Sequence, residues 1–171
     1  MLKKDNIVLR PILRSDLEKL NKWKNDEEIF MYLGGGFNPQ SIDQQSIWID
    51  KIINIDDKNK RYIIEINNEA VGLIGLYNIH NIYQNCEIGM YIGERDFQGK
   101  GYAKEAYYLI ERYAVEYLNM RKIKLFVVND NTNAISFWSK LGFETVGILK
   151  EERYIKGRFR DLSIMEKFLQ K

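Results

Sequence analysis

Six consecutive residues, Gln98-Gly99-Lys100-Gly101-Tyr102-Ala103, carry the most specific chemical signal in the chain. They lie between a strand-like run, Glu87 to Ile92, and an apolar periodicity that predicts a helix from Tyr102 to Leu118. A glycine turn that opens a helix presents backbone N–H groups with no intrahelical partner, at the positive end of the helix dipole. That arrangement is a socket for phosphate. Glycine suits it because a Cβ would obstruct a close backbone approach. The third glycine of a dinucleotide-binding Gly-x-Gly-x-x-Gly is missing, since Tyr102-Ala103-Lys104 follows Gly101. The wide glycine spacing and Lys-Ser/Thr ending of a P-loop are absent too. The competing reading is a plain strand-to-helix turn.

Other reactive residue types carry less. His80 is the only histidine and falls in a predicted loop, with no cysteine pair or second histidine to complete a metal site. It is kept as a substrate-binding candidate. Cys86 is the only cysteine, so no internal disulfide is expected; with no activating partner in view it reads as a small buried residue. Neither residue suggests a metal.

The elements that position these residues are readable from patterning. Ile7 to Pro11 predicts an edge strand ended by its proline. Ser15-Asp16-Leu17-Glu18 and Ser41-Ile42-Asp43-Gln44 are capping-box patterns that open two helices, the first through Trp23 and the second through Ile53. Between them, Gly34-Gly35-Gly36-Phe37-Asn38-Pro39 is a loop. Arg61–Ile66 and Ala70–Tyr77 predict a hairpin turned at Asn67-Asn68-Glu69, and Cys86–Ile92 a third strand. Ala103, Ala106, Tyr107, Ile110, Tyr113, Ala114 and Tyr117 form the inward stripe of the long helix. A strand at 123–127, a helix at 131–141 stopped by Gly142, and strands near 144–148 and 162–168 complete the chain. This order predicts an α+β fold over residues 1–171: a single central mixed, mostly antiparallel sheet flanked by helices.

Composition narrows the function classes. Apolar residues at 45% and charged residues at 29% are ordinary for a soluble globular protein. A net charge of +2 over 171 residues gives no basic field for nucleic acid. Neither a signal-peptide core nor a membrane-length apolar run is visible, so a cytoplasmic location is expected.

The loop fits Gln/Arg-x-x-Gly-x-Gly/Ala, and Glu87-Ile88-Gly89-Met90-Tyr91-Ile92 stands just before it. Asn131-Thr132-Asn133-Ala134-Ile135-Ser136-Phe137-Trp138-Ser139-Lys140-Leu141-Gly142-Phe143 follows downstream. On these stretches the chain resembles the GCN5-related N-acetyltransferases. Leu9-Arg10-Pro11 and the tail through Gly147, Leu149-Lys150-Glu151, Gly157, Asp161 and Met165 are similar to the branch with ribosomal-protein N-terminal and spermidine acetyltransferases. The resemblance covers nearly the whole chain.

It implies acetyl-CoA as co-substrate, no metal, and direct attack by a primary amine in a ternary complex. The acceptor would be a protein N-terminus or a small molecule such as a polyamine. The backbone at Tyr91, Ile92 and Gly93 would hold the pantetheine and acetyl group. Gln98, Gly99, Lys100, Gly101, Tyr102 and Ala103 would hold the pyrophosphate, with Lys100 either adding charge or standing solvated at the rim. Asn131, Trp138 and Lys140 join the cofactor side, Asn131 either binding or capping a helix.

A substrate ammonium must lose a proton before it attacks. Glu87 is the candidate base, acting through a water. Strand alternation puts Glu87, Gly89 and Tyr91 on one face and Ile88, Met90 and Ile92 on the other. Trp138 stands where relatives often carry a tyrosine that protonates the leaving thiolate, and an indole N–H is no useful acid. Tyr107, Tyr108 and Tyr154 remain as other donors. Glu28, beside Asp26 and Glu27, and Gly35 in the glycine loop are acceptor-side candidates with His80. Alternatives are a non-catalytic acyl-CoA-binding regulatory module, or an acetyltransferase for an amino sugar or antibiotic. A homodimer is the assembly the resemblance suggests.

Overall fold

The computed structural model describes residues 1–53 and 56–169. It is built on one eight-stranded sheet in the order β1-β2-β3-β4-β5-β6-β8-β7. The strands are β1 (Leu2–Lys4), β2 (Ile7–Pro11), β3 (Lys60–Ile66), β4 (Glu69–His80), β5 (Asn85–Ile92), β6 (Lys122–Val128), β7 (Glu144–Ile155) and β8 (Arg158–Phe168). Every neighbouring pair is antiparallel except β5–β6, so the predicted mixed, mostly antiparallel sheet is what forms.

The helices are α1 (Leu17–Lys24), α2 (Glu27–Phe30), α3 (Ile42–Ile52), α4 (Tyr102–Glu116) and α5 (Thr132–Lys140). They divide between the two faces. α4 and α5 pack Ala106, Tyr107, Ile110 and Trp138 against Ile74, Leu76, Cys86 and Ile88. α1 and α3 pack Leu20, Trp23 and Ile49 against Ile63, Ala70 and Leu73. The inward stripe of α4 is as expected except at its end, where Tyr117 stands 73% exposed.

Three local expectations are corrected. β2 is not an edge strand: Asp5, at φ 52°, turns β1 back so that Leu2 pairs with Leu9. Pro11 still ends β2, opposite Tyr62. The Ser15 capping box does not form. Asp16 instead accepts the Leu13 N–H at 2.8 Å and takes two bonds from the Arg10 guanidinium, so a 3₁₀ turn precedes α1. The second box does form, with Ser41 Oγ accepting from Gln44 N–H at 3.2 Å and Gln44 Oε1 from Ser41 N–H at 2.9 Å. Last, the short strand expected at 144–148 extends to Ile155 and doubles back through Lys156-Gly157, both at positive φ.

Candidate active site

The site grows from a change of register. β5 and β6 are parallel partners only over Asn85–Lys122, Cys86–Ile123 and Glu87–Lys124. Beyond Glu87 the strands part, while β5 stays paired to β4 as far as Ile92 opposite Gly72. The free edge of β5 therefore faces a wedge, and its backbone groups there are offered to whatever fills the gap. The wedge belongs to a cleft of about 570 Å³. Ile88, Gly89, Met90 and Tyr91 line one side, Leu125, Phe126 and Val127 the other, and α1, α3 and the α2–α3 loop close over it.

Glu87 sits at the apex, the last residue before the strands separate, with Lys124 Nζ 3.6 Å from its carboxylate. Its side chain is 24% exposed, open enough to exchange a proton through water. The alternation holds: Glu87, Gly89 and Tyr91 pair with Tyr77, Gly75 and Leu73, while Cys86 and Ile88 turn into the α4 core. Tyr77 and Tyr91 are thus cleft phenols. Burial raises both pKa values, opposed at Tyr77 by the nearby Arg61, so both keep their protons at neutral pH. Neither side chain was singled out as a donor from sequence, although the parity of Leu73, Gly75 and Tyr77 against β5 carries the signal. Tyr107, by contrast, is fully buried against Trp138 and Phe143 and cannot reach the cleft. Tyr108 and Tyr154 are exposed and do not line it.

The loop after β5 has the form a phosphate requires. Gly99 and Gly101 have φ of +71° and +85°, and a Cβ at either would meet nothing within 4 Å. Their glycine character therefore answers a left-handed backbone with open space above it. No backbone N–H from Gly99 to Ala103 donates within the described residues, and no side chain caps α4. Gln98 fastens the loop to the strand, its Nε2 donating to Ile92 O at 2.9 Å. Gly93 is held differently: its N–H donates to Val71 O at 2.7 Å, and a Cβ would lie 2.4 Å from the Trp23 ring. Tyr102 packs on Phe97, Ala103 is half-buried, and Lys100 is exposed at the rim.

On the far wall of the wedge, Asn131 caps α5, its Oδ1 accepting from Ala134 N–H at 3.3 Å. Trp138 is 7% exposed, stacked edge-on against Tyr107 and Phe143, with one side on the cleft. Lys140, on the last turn of α5, is exposed and outside the lining.

The acceptor side differs most from its sequence candidates. Gly35 lines the cleft. Glu28 is exposed and pairs with Arg95 at 2.9 Å, as Asp26 does at 3.3 Å. Glu94 is taken by Lys22 at 2.9 Å and by Trp23 Nε1 at 3.0 Å. His80 closes β4 outside the cleft, stacked on Tyr83. Lys24 and Arg153, which sequence did not mark, do line the cleft and hold the glycine loop through Gly36 O at 3.3 Å and Gly34 O at 3.1 Å. No cluster of acidic, histidine or cysteine side chains suited to a metal occurs among the described residues. Nor is any described helix long and apolar enough to cross a membrane.

A splayed parallel pair, a carboxylate at its apex and an uncapped glycine loop at the strand end make a cleft that suits a phosphate-bearing ligand. The acetyltransferase (GNAT) domain family matches residues 6–144, and the chain belongs to that family. Among its relatives is the spermidine N(1)-acetyltransferase of Escherichia coli (strain K12), 30% identical over 156 residues, covering 91% of this chain and 82% of the relative. The crystal structure of spermidine N-acetyltransferase from Vibrio cholerae with CoA and spermine superimposes with a TM-score of 0.88 at 28% identity, covering 97% of each chain. A dodecameric structure of the Vibrio cholerae enzyme gives a TM-score of 0.81 at 27% identity, covering 97% of this chain and 95% of the other. The protein is an acetyl-CoA-dependent N-acetyltransferase that acts on a primary amine.

Proposed function

We propose that the acceptor is a polyamine or related aliphatic diamine and that Glu87 takes the proton from its reacting nitrogen. The observation that carries the catalytic part is the place of Glu87 at the apex of the β5–β6 wedge, beside the free β5 edge. The names of the relatives support the polyamine. In this reading the thioester lies along β5 near Tyr91, Ile92 and Gly93, and the CoA pyrophosphate lies on Gln98–Ala103. Glu87 takes the proton of the substrate ammonium through water, the neutral amine then attacks the carbonyl carbon, and the oxyanion forms against the strand backbone. Collapse breaks the C–S bond and expels the CoA thiolate, and the new amide nitrogen sheds its second proton to water. The thiolate takes its proton from water or from the Tyr77 phenol, where Arg61 opposes the effect of burial; Trp138 cannot supply it. One domain over the whole chain, an oligomeric assembly and a cytoplasmic location complete the reading. The Vibrio cholerae dodecamer supports an oligomer, of which a dimer is one form.

A second reading has its own observation: Lys24 and Arg153 on the lining favour an amine that also carries a carboxylate, such as an amino acid or a short peptide. One panel separates the two. Thiol release from acetyl-CoA is followed with spermidine, spermine, simple diamines, amino acids and short peptides. Turnover confined to polyamines and diamines supports the first reading, and turnover confined to amino acids and peptides the second. Release with none of them sinks both.

A further inference from the structure

We propose that Gln45 selects the acceptor: its side-chain oxygen receives an N–H from a second, non-reacting nitrogen of the substrate amine. The inference rests on the reading that an amine occupies the cleft. Gln45 lies on the inward side of α3, only 4% exposed, and it lines the cleft. Its Oε1 is the buried side-chain polar atom that has no hydrogen-bond partner among the described residues. Buried amides are nearly always satisfied, and one left unpaired forfeits the hydrogen bonds it had in water.

The neighbours do not relieve it. Leu20 and Trp48 share the lining with Gln45, and neither donates to its Oε1. Lys24 is turned elsewhere, with Nζ on Gly36 O at 3.3 Å and 4.4 Å from the Phe30 ring centre. What the oxygen lacks is a donor, so a group that only accepts cannot fill the place.

The reacting nitrogen is not that donor. It must reach the free β5 edge and give its proton to Glu87 on the sheet, whereas Gln45 hangs from the helical layer above and an amide takes no proton at neutral pH. Leu73, Trp48, Phe30 and Tyr91 give the same cleft apolar and aromatic walls. Such walls suit methylenes, and ring faces tolerate a cationic nitrogen. A diamine bridges the layers with one nitrogen at each end.

The test compares putrescine with n-butylamine and cadaverine with n-pentylamine, on wild type and on Gln45→Leu and Gln45→Glu. Wild type is expected to prefer each diamine. Gln45→Leu should raise KM for the diamines about tenfold, matching one lost hydrogen bond. It should leave the KM values for the monoamines and for acetyl-CoA unchanged and Tm equal to or above that of wild type, because an unpaired buried oxygen is removed. Gln45→Glu keeps the accepting oxygen and should restore the diamine preference. An undiminished preference in Gln45→Leu overturns the proposal. So does a fall in Tm with all KM values rising together, the mark of a structural role. If wild type acetylates no amine at all, the function proposed above fails, and this inference with it.

Discussion

At the scale of the residue, the chemistry depends on a few side chains whose neighbours come from distant sequence. Glu87 was legible as the candidate base from the resemblance of its strand, and alternation gave the face it shares with Gly89 and Tyr91. Its partner Lys124 was not, because that pairing follows from a parallel register between strands separated by the whole of α4. Replacing Glu87 with Gln keeps the shape and removes the base. It is expected to lower kcat by about two to four orders of magnitude, with acetyl-CoA binding by calorimetry unchanged. Trp138→Tyr and Trp138→Phe address the thiolate. Trp138 already packs edge-on against Tyr107 and Phe143, and Tyr77 and Tyr91 are protonated phenols in the same cleft. Both variants should therefore turn over within about threefold of each other. Strong activation by Tyr alone would show that the cleft lacks an acid. The acidic triplet at 26–28 is visible in sequence as carboxylates, while the Arg95 and Lys156 side chains that pair with them are visible only in three dimensions.

At the scale of the element, local signals succeeded where the backbone answers to its own neighbours. The Ser41 box, the positive-φ Asn67-Asn68 turn and Gly142 past α5 are all local, and all were readable. The β7–β8 hairpin was not, since its central residues are charged and exposed on both faces and show no apolar alternation. The phosphate loop is local too, and Gly101→Ala tests it. At φ +85° an alanine costs about 1–2 kcal/mol. The substitution should raise KM for acetyl-CoA about tenfold, with the acceptor KM little changed. α1 is joined to the segment after β5 through Glu94. Burial would raise this carboxyl's pKa, but bonds from Lys22 and Trp23 outweigh it and hold the group below its ordinary 4.5. A depressed carboxyl adds stability that is fully present above its unfolded pKa and lost as pH falls through the folded one. Wild type should therefore lose Tm below about pH 4.5 more steeply than Glu94→Gln. Above pH 6 the variant should be less stable by about 1 kcal/mol. Parallel acid titrations of the two proteins would contradict this.

At the scale of the molecule, the sheet order was beyond sequence reading. The antiparallel hairpins could be guessed from short turns, but the β6-β8-β7 order places the last strand inside the sheet and its predecessor at the edge. One consequence of the core is chemical. Cys86 lies under α4 with its thiol pKa pushed up to about 12 by burial first and by Glu87 second. Native protein should resist iodoacetamide at pH 8 and react fully only in denaturant; rapid labelling of the folded state would contradict that placement. A different consequence follows from the parting of β5 and β6. That gap is written in strand register, which no single side chain owns. The wall facing it is assembled from α1, α3 and a glycine loop, and its side chains can be exchanged one at a time. With the donor in the gap, as proposed above, mutation redraws the choice of amine while the donor keeps its seat, so new acceptors lie a few substitutions away and new donors do not.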